Sequence, residues 1–274
     1  MTRALPLVLA VALAAVVTFL TLPLLALFLR VPPAELVAQL GDQRAREALV
    51  VSLETSLLAH VLILGLGTPA AYLLATGSFR GRTLLVTLLE LPLVLPPAVA
   101  GLGLLAAFGR TGLLGRELRA LGLEIPFTQL AVVVAVCFVA SPFYIRGAIA
   151  AFQAVDPALP AAARTLGAAP LRVFGRVALP LALGGLGAGS TLAFARGLGE
   201  FGATIMFAGS LPGRTQTAPL AIYDALNTDF EVALALGALL VAFSVGILVT
   251  TKLLLSWTRS TSPSITLSAP SGSR

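Results

Sequence analysis

The chain has 274 residues, of which 58% are hydrophobic and 11% carry a formal charge, and its net charge is +6. A water-soluble domain of this length cannot bury that much apolar surface, so the composition excludes an ordinary globular protein and predicts an integral membrane protein. The single cysteine, Cys137, excludes a disulfide framework. The basic residues lie in short segments between apolar runs, which argues against a nucleic-acid-binding face.

Six apolar segments are long enough to cross a bilayer, because a membrane helix needs about 20 residues. In chain order they are Ala4–Leu29, Ala48–Ala75, Leu84–Phe108, Gln129–Ala151, Val177–Phe207 and Val232–Trp257. The first one exceeds the roughly 7–15 apolar residues of a signal-peptide core, which predicts a retained helix. We therefore predict an all-α integral membrane domain of six transmembrane helices over residues 1–259. Residues 260–274, rich in Ser, Thr and Pro, are predicted to form a disordered tail.

Two connecting loops are strongly basic, whereas the other loops mix basic and acidic residues. The arginines concerned are Arg80 and Arg82 in the first loop, and Arg146, Arg164, Arg172 and Arg176 in or beside the second. Basic residues also mark both ends of the chain. Because basic loops stay in the cytoplasm, we predict cytoplasmic positions for both loops and both termini.

The second basic loop, from Asp156 to Pro180, has a helix–stop–helix pattern. Asp156 followed by Pro157 predicts a capped helix start. Gly167 suits the left-handed position that ends a helix, and Pro170 predicts the start of a second short helix. This pattern fits an amphipathic segment lying on the membrane or a docking element for a soluble subunit.

The spacing in this loop resembles the EAA loop of permease subunits of type I ABC importers. The family pattern is Glu-Ala-Ala, three residues, Gly, nine residues, then Ile-x-Leu-Pro. This chain has Ala161-Ala-Ala, Gly167 and Val177-x-Leu-Pro180. Ala161 replaces a glutamate that in the family can pair with a basic residue of the ATPase. The resemblance implies an ATPase-coupling loop over residues 152–178. The expected contact residues are Ala161, Ala162, Ala163, Arg164, Gly167, Ala168, Pro170, Leu171 and Arg172.

Three further motifs resemble the molybdate branch of this family. They are Leu91 to Pro97 (LPLVLPP), Ala162 to Ala168 (AARTLGA) and Leu192 to Thr204 (LAFARGLGEFGAT). Sulfate and thiosulfate permeases have similar segments. The resemblance implies the MetI-like fold, with a core at about residues 48–257, in a bacterial inner membrane.

The resemblance implies an ATP-driven importer of molybdate or tungstate, with sulfate or thiosulfate as the alternative cargo. The implied partners are a second copy of the chain, separate ATP-binding subunits that hold ATP and Mg, an external oxyanion-binding protein and membrane lipids. The chain has no Gly-x-x-x-x-Gly-Lys-Ser/Thr loop, no His/Cys cluster and no nucleophile–base set. We therefore expect a transport subunit, not an enzyme, that binds no cofactor itself. An ion-coupled secondary transporter and a non-transporting scaffold are the alternatives from other classes.

Arg196 and Glu200 lie four residues apart in the fifth segment, on one helical face. A charge within the membrane is costly unless it is paired or hydrated. The two residues form either an ion pair that fixes helix packing or a site where Arg196 attracts an oxyanion and Glu200 weakens that attraction. Gly197, Gly199 and Gly202 around them permit close helix packing or a gate hinge.

The third segment is interrupted by Pro92, Pro96 and Pro97, with Gly101 shortly after them. Proline removes a backbone donor and kinks a helix, so this segment is expected to line the bundle interior, as an external gate or as a structural kink. The candidates for the path or gate are Pro96, Pro97, Gly101, Arg196, Gly199, Glu200 and Gly202.

Further ionisable residues lie in apolar segments, among them His60 and Glu90. His60 in the second segment suggests either a proton relay or a hydrogen-bonded packing residue. Glu90 in the third segment is expected at the cytoplasmic interface, near the Arg80 and Arg82 loop.

Overall fold

A computed structural model describes residues 4–260 as a helical bundle with no strand among them. Its thirteen α-helices are α1 Ala4–Arg30, α2 Pro33–Gly41, α3 Gln43–Thr76, α4 Arg82–Val94, α5 Pro97–Phe108, α6 Gly115–Ala120, α7 Gln129–Gln153, α8 Ala158–Thr165, α9 Pro170–Val173, α10 Leu179–Leu198, α11 Gly202–Ala208, α12 Ala218–Leu226 and α13 Phe230–Ser260. A π-helical turn, Phe174–Ala178, joins α9 to α10. The predicted disordered tail lies outside the described residues, apart from Ser260 at the end of α13.

Five helical stretches of the described chain are long and apolar enough to cross a membrane. Four are α1, α3, α7 and α13, and the fifth runs from Pro170 through the π turn to Leu198. Helices α4 and α5 together form a sixth span with a bend of 116° between them. The predicted all-α architecture with six apolar crossings is therefore confirmed, with one crossing made of two half-helices.

Successive spans alternate in direction, which places the connecting loops on two sides of the bundle. Loops 77–81 and 154–169, which with the adjoining helix ends carry the arginine clusters, lie on what we call the basic side. Loops 109–128 and 199–229 lie on the opposite side. Helix α1 packs against α13, and its side chains are almost all exposed, as expected for a helix surrounded by lipid.

The predicted kink in the third segment is a complete break, because two consecutive prolines exclude helical backbone before them. Leu95 and Pro96 are both extended, each with a ψ of 133°. A residue that precedes proline avoids the helical region, and both of these residues do so. Helix α5 then starts at Pro97, where the missing backbone N–H costs no helical hydrogen bond.

The centre of the bundle is formed by α3, α7 and α10, which pack closely through small residues. A Cβ atom on Gly147 of α7 would lie 3.0 Å from the Cα atom of Gly189 of α10. A Cβ atom on Gly67 of α3 would lie 2.9 Å from the ring of Tyr144, whose hydroxyl lies 2.6 Å from the Thr68 hydroxyl. Lipid tails are as apolar as helix surfaces, so close contact and internal hydrogen bonds hold these spans together.

The predicted fifth segment, Val177–Phe207, is wrong at its end, because the helix stops at Leu198. Glu200 then turns the chain: its Oε1 atom accepts a hydrogen bond of 2.8 Å from the backbone N–H of Ala203 in the first turn of α11. This cap satisfies a backbone donor that no carbonyl reaches at a helix start. Glu200, whose spacing from Arg196 predicts a side-chain pair, therefore also marks the boundary between α10 and α11.

We expect Gly147→Val to destabilise the bundle, because the added side chain would collide with the backbone of α10 at Gly189. Overpacking of this kind costs about 1–3 kcal/mol. The measurement is thermal unfolding of the detergent-purified protein. Gly65→Val on α3 is the matched control, since a Cβ atom there meets nothing within 4 Å. Equal losses in both variants would contradict the packing role of Gly147.

A second prediction separates the two interactions of Glu200. Glu200→Gln keeps an oxygen that can accept from Ala203 but loses the charge, whereas Glu200→Ala loses both. We expect stability to fall in the order wild type, Gln, Ala, with the lost cap costing about 0.5–2 kcal/mol in the last step. Identical unfolding of the two variants would show that the cap contributes nothing.

Candidate coupling surface and translocation path

The loop on the basic side folds as its local sequence predicts. Asp156 Oδ1 accepts a hydrogen bond of 2.9 Å from the backbone N–H of Ala158, where α8 begins. Gly167 has a φ of +82°, and the N–H of Ala168 donates to the Ala163 carbonyl at 3.0 Å. This is the left-handed helix stop that favours glycine. The predicted capped start, stop and second start at Pro170 are confirmed.

This loop presents apolar side chains to solvent, and we call residues 158–172 the coupling surface. The side chains of Leu166 and Leu171 are 88% and 79% exposed. Of the nine predicted contact residues, Ala161, Ala162, Arg164, Gly167, Pro170, Leu171 and Arg172 are exposed, and Ala163 and Ala168 are half-buried. Exposed leucines among arginines are typical of a surface that another protein covers.

An aromatic cluster connects the coupling surface to two spans, and sequence reasoning missed it. The Phe174 ring centroid in the π turn lies 4.8 Å from that of Tyr72 in α3 and 6.2 Å from that of Phe152 in α7. The Tyr72 and Phe152 centroids lie 5.2 Å apart. Pro180, which cannot donate a helical hydrogen bond, was the one sequence signal of an irregular helix near this turn.

Arg196 and Glu200 form an ion pair, as their spacing suggested. The Arg196 Nη2 and Glu200 Oε2 atoms lie 2.8 Å apart, although their angle is outside hydrogen-bond geometry. Glu200 is 1% exposed and also caps α11, whereas Arg196 is 29% exposed. Both carboxylate oxygens of Glu200 are therefore engaged at the helix break. The Arg196 side chain is only partly accessible. A role for Arg196 in the path stays a prediction.

Three of the gate candidates, Pro97, Gly101 and Gly202, come together where α5 meets α11. A Cβ atom on Gly202 would lie 2.6 Å from Cβ of Pro97, and one on Gly101 would lie 2.7 Å from the carbonyl oxygen of Ala203. Pro96 forms the break before α5, and Gly199 ends α10. Two half-helices from different segments therefore touch through backbone. The sequence offered no signal for this pairing beyond the glycines themselves.

A second ion pair, between Glu90 and Arg146, links α4 to α7. Arg146 was expected in or beside the loop, but it lies within α7, seven residues before Gln153. Glu90 lies about two turns into α4 from the basic side, and its position at the cytoplasmic interface stays a prediction. The Arg146 Nε and Glu90 Oε1 atoms are 3.7 Å apart. Both residues were named from the sequence, but their pairing was not.

His60 is a hydrogen-bonded packing residue, which confirms one of its two predicted roles. Its Nε2 atom lies 2.9 Å from the Ser190 hydroxyl, and its ring meets Phe194 edge-on with centroids 5.1 Å apart. It lines a cavity of about 220 Å³ between α3, α10 and α13. Among residues 4–260, no three His, Cys, Asp or Glu side chains are placed to hold a metal ion.

Known proteins with similar sequences include two molybdenum transport permeases. The Molybdenum transport system permease protein ModB of Mycobacterium tuberculosis (strain H37Rv) is 42% identical over 225 residues, which cover 82% of this chain and 85% of that protein. ModB of Escherichia coli (strain K12) is 41% identical over 183 residues, covering 66% and 80%.

The fold is also shared with a solved structure. A chain in the crystal structure of a bacterial alginate ABC transporter, in complex with an alginate pentasaccharide-bound periplasmic protein, superposes with a TM-score of 0.71. It is 16% identical, and the match covers 94% of this chain and 96% of that one. Residues 63–259 match the family model described as binding-protein-dependent transport system inner membrane component. This chain therefore belongs to the family of inner membrane components of binding-protein-dependent transport systems.

Proposed function

We propose that this chain is the membrane-spanning permease subunit of an ATP-driven importer of molybdate. The observation that carries this proposal is the 42% identity, over 82% of the chain, to a molybdenum transport permease. Tungstate is a tetrahedral dianion like molybdate and is proposed to use the same path. Sulfate or thiosulfate is the alternative cargo, because it has the same shape and charge.

A soluble ATPase is proposed to dock on the coupling surface. Exposed Leu166 and Leu171 supply apolar contacts, and Arg164 and Arg172 can bind acidic groups of the partner. Ala161 offers no carboxylate to a basic residue of the ATPase, so docking here depends on the leucines and arginines. ATP and Mg bind to the ATPase, and this chain transmits the resulting motion.

Two further partners are proposed. Two copies of the chain are proposed to enclose the path, each contributing one half. The basic side, with Arg80 in loop 77–81 and Arg82 at the start of α4, is assigned to the cytoplasm together with both termini. The opposite side then receives an oxyanion-binding protein, in line with the binding-protein dependence named for the family.

The contacts suggest how motion at the coupling surface reaches the far side. Phe174 in the π turn packs on Tyr72 and Phe152, so a shift of the loop pushes directly on α3 and α7. The same turn continues into α10, whose far end leads through the capped break at Glu200 into α11. Helix α11 rests against α5, and separating these two half-helices is proposed to open the outer gate.

We expect cysteines placed on the coupling surface to cross-link to the ATPase when vanadate traps the assembled transporter. The variants are Arg164→Cys and Leu171→Cys, in a Cys137→Ser background. Leu113→Cys is the matched control, because Leu113 is also exposed but lies on the opposite side. Absence of ATPase adducts from both test positions, or equal adducts from Leu113, rejects the docking proposal.

The cargo is tested by uptake of labelled molybdate into proteoliposomes that contain the permease, its ATPase and the binding protein. We expect uptake to require ATP, with tungstate competing at concentrations similar to molybdate and sulfate only at much higher ones. Equal competition and transport of sulfate would assign the chain to sulfate import. Uptake driven by an ion gradient without the ATPase would reject the importer mechanism.

A further inference from the structure

The ion pair between Arg146 of α7 and Glu90 of α4 lies inside the membrane-spanning region, away from Arg196. With a rise of 1.5 Å per residue, Arg146 is about 10 Å from the end of α7 and Glu90 about 12 Å from the start of α4. Both helix ends lie on the basic side. The two residues therefore stand at similar distances from the basic-side ends of two apolar helices.

The Arg146 side chain is not covered by this chain. It is 72% exposed and Glu90 is 39% exposed. No residue of α4 is buried, so this face of α4 and α7 has no covering helix in the described chain. A guanidinium facing lipid at this depth is costly, so the face that carries it must meet water or another protein chain.

The two intramembrane ion pairs differ in burial, in the distance between the charged atoms and in whether the carboxylate has a second partner. Glu200 is buried, lies 2.8 Å from Arg196 and also caps a helix. The Arg146–Glu90 contact is 3.7 Å long, beyond hydrogen-bond distance, and both partners are accessible. Arg146 is thus held loosely and retains N–H donors for another ligand.

We infer that Arg146 is an anion-binding site in the inner half of the translocation path and that Glu90 limits its affinity. The ligand is a tetrahedral oxyanion with two negative charges, which the planar guanidinium can bind with two parallel hydrogen bonds. This inference rests on the proposed function as an oxyanion permease. It adds a residue that contacts the cargo after the outer gate.

At this site, Glu90 weakens the binding of the anion to Arg146. An unopposed guanidinium in a low-dielectric path would hold a dianion tightly and stop conduction. The carboxylate 3.7 Å away competes with the anion and allows its release to the basic side.

The test compares ATP-dependent molybdate uptake by the assembled transporter carrying Arg146→Gln, Arg146→Lys or the double change Arg146→Gln with Glu90→Gln. We expect at least a tenfold loss of uptake for Arg146→Gln and for the double variant, and a smaller loss for Arg146→Lys, which keeps the charge but not the paired donors. ATPase co-purification and stimulation by the binding protein should stay at wild-type levels. Arg80→Gln, in the exposed loop beside α4, is the control and should transport normally.

The double variant decides between an anion site and a simple link between helices. Two amides can restore a neutral hydrogen bond, so wild-type uptake by the double variant would mean that the pair only joins α4 to α7. Wild-type protein that transports no oxyanion at all would instead overturn the proposed function.

Water access is measured separately, with a charged thiol reagent on Arg146→Cys in a Cys137→Ser background. We expect modification that molybdate slows, whereas Ile145→Cys, at a position facing the core, should not react. No reaction at position 146 would overturn the inference.

Discussion

The close contact of α7 with α3 and α10 supports the rest of the structure. In a membrane there is no apolar driving force to hold helices together, so the contact depends on side chains small enough to bring backbones together. Gly147 and Gly189 provide this between α7 and α10, and Tyr144 fills the space beside Gly67 on α3. Three unbroken spans thereby form a rigid unit, against which the broken helices can move.

At each of the two breaks, the helix that follows has one backbone donor fewer to satisfy. Non-helical backbone is tolerated at membrane depth only where protein or water provides hydrogen bonds. Helix α5 starts with proline, which lacks the donor that would be left free, and α11 is capped by Glu200. A buried carboxylate is costly, and here the cost is offset by the guanidinium of Arg196 and the N–H of Ala203. The fold thus uses one charged pair to stabilise a break, whereas the pair at Arg146 is exposed and caps no helix.

Local features of the coupling loop could be predicted because each depends on neighbouring residues. Asp156 caps a helix that begins two positions later, and Gly167 ends that helix through its own left-handed backbone. The prolines at 96 and 97 likewise predict an interruption, although the bend of 116° depends on what α4 and α5 pack against. The fifth segment was extended too far, because hydropathy alone does not distinguish Leu198 from the equally apolar α11 that follows the break.

The sequence by itself determined the membrane class, the number of apolar crossings, the basic side and the helix starts and stops of the coupling loop. These features depend on composition and on interactions between residues a few positions apart. Only the tertiary structure decided that α5 meets α11, that Glu90 meets Arg146, and that Phe174 rests between Tyr72 and Phe152. In a soluble helix, the apolar stripe shows which face is inside. A membrane helix is apolar on all sides, so its sequence pattern does not reveal which face meets lipid and which meets another helix.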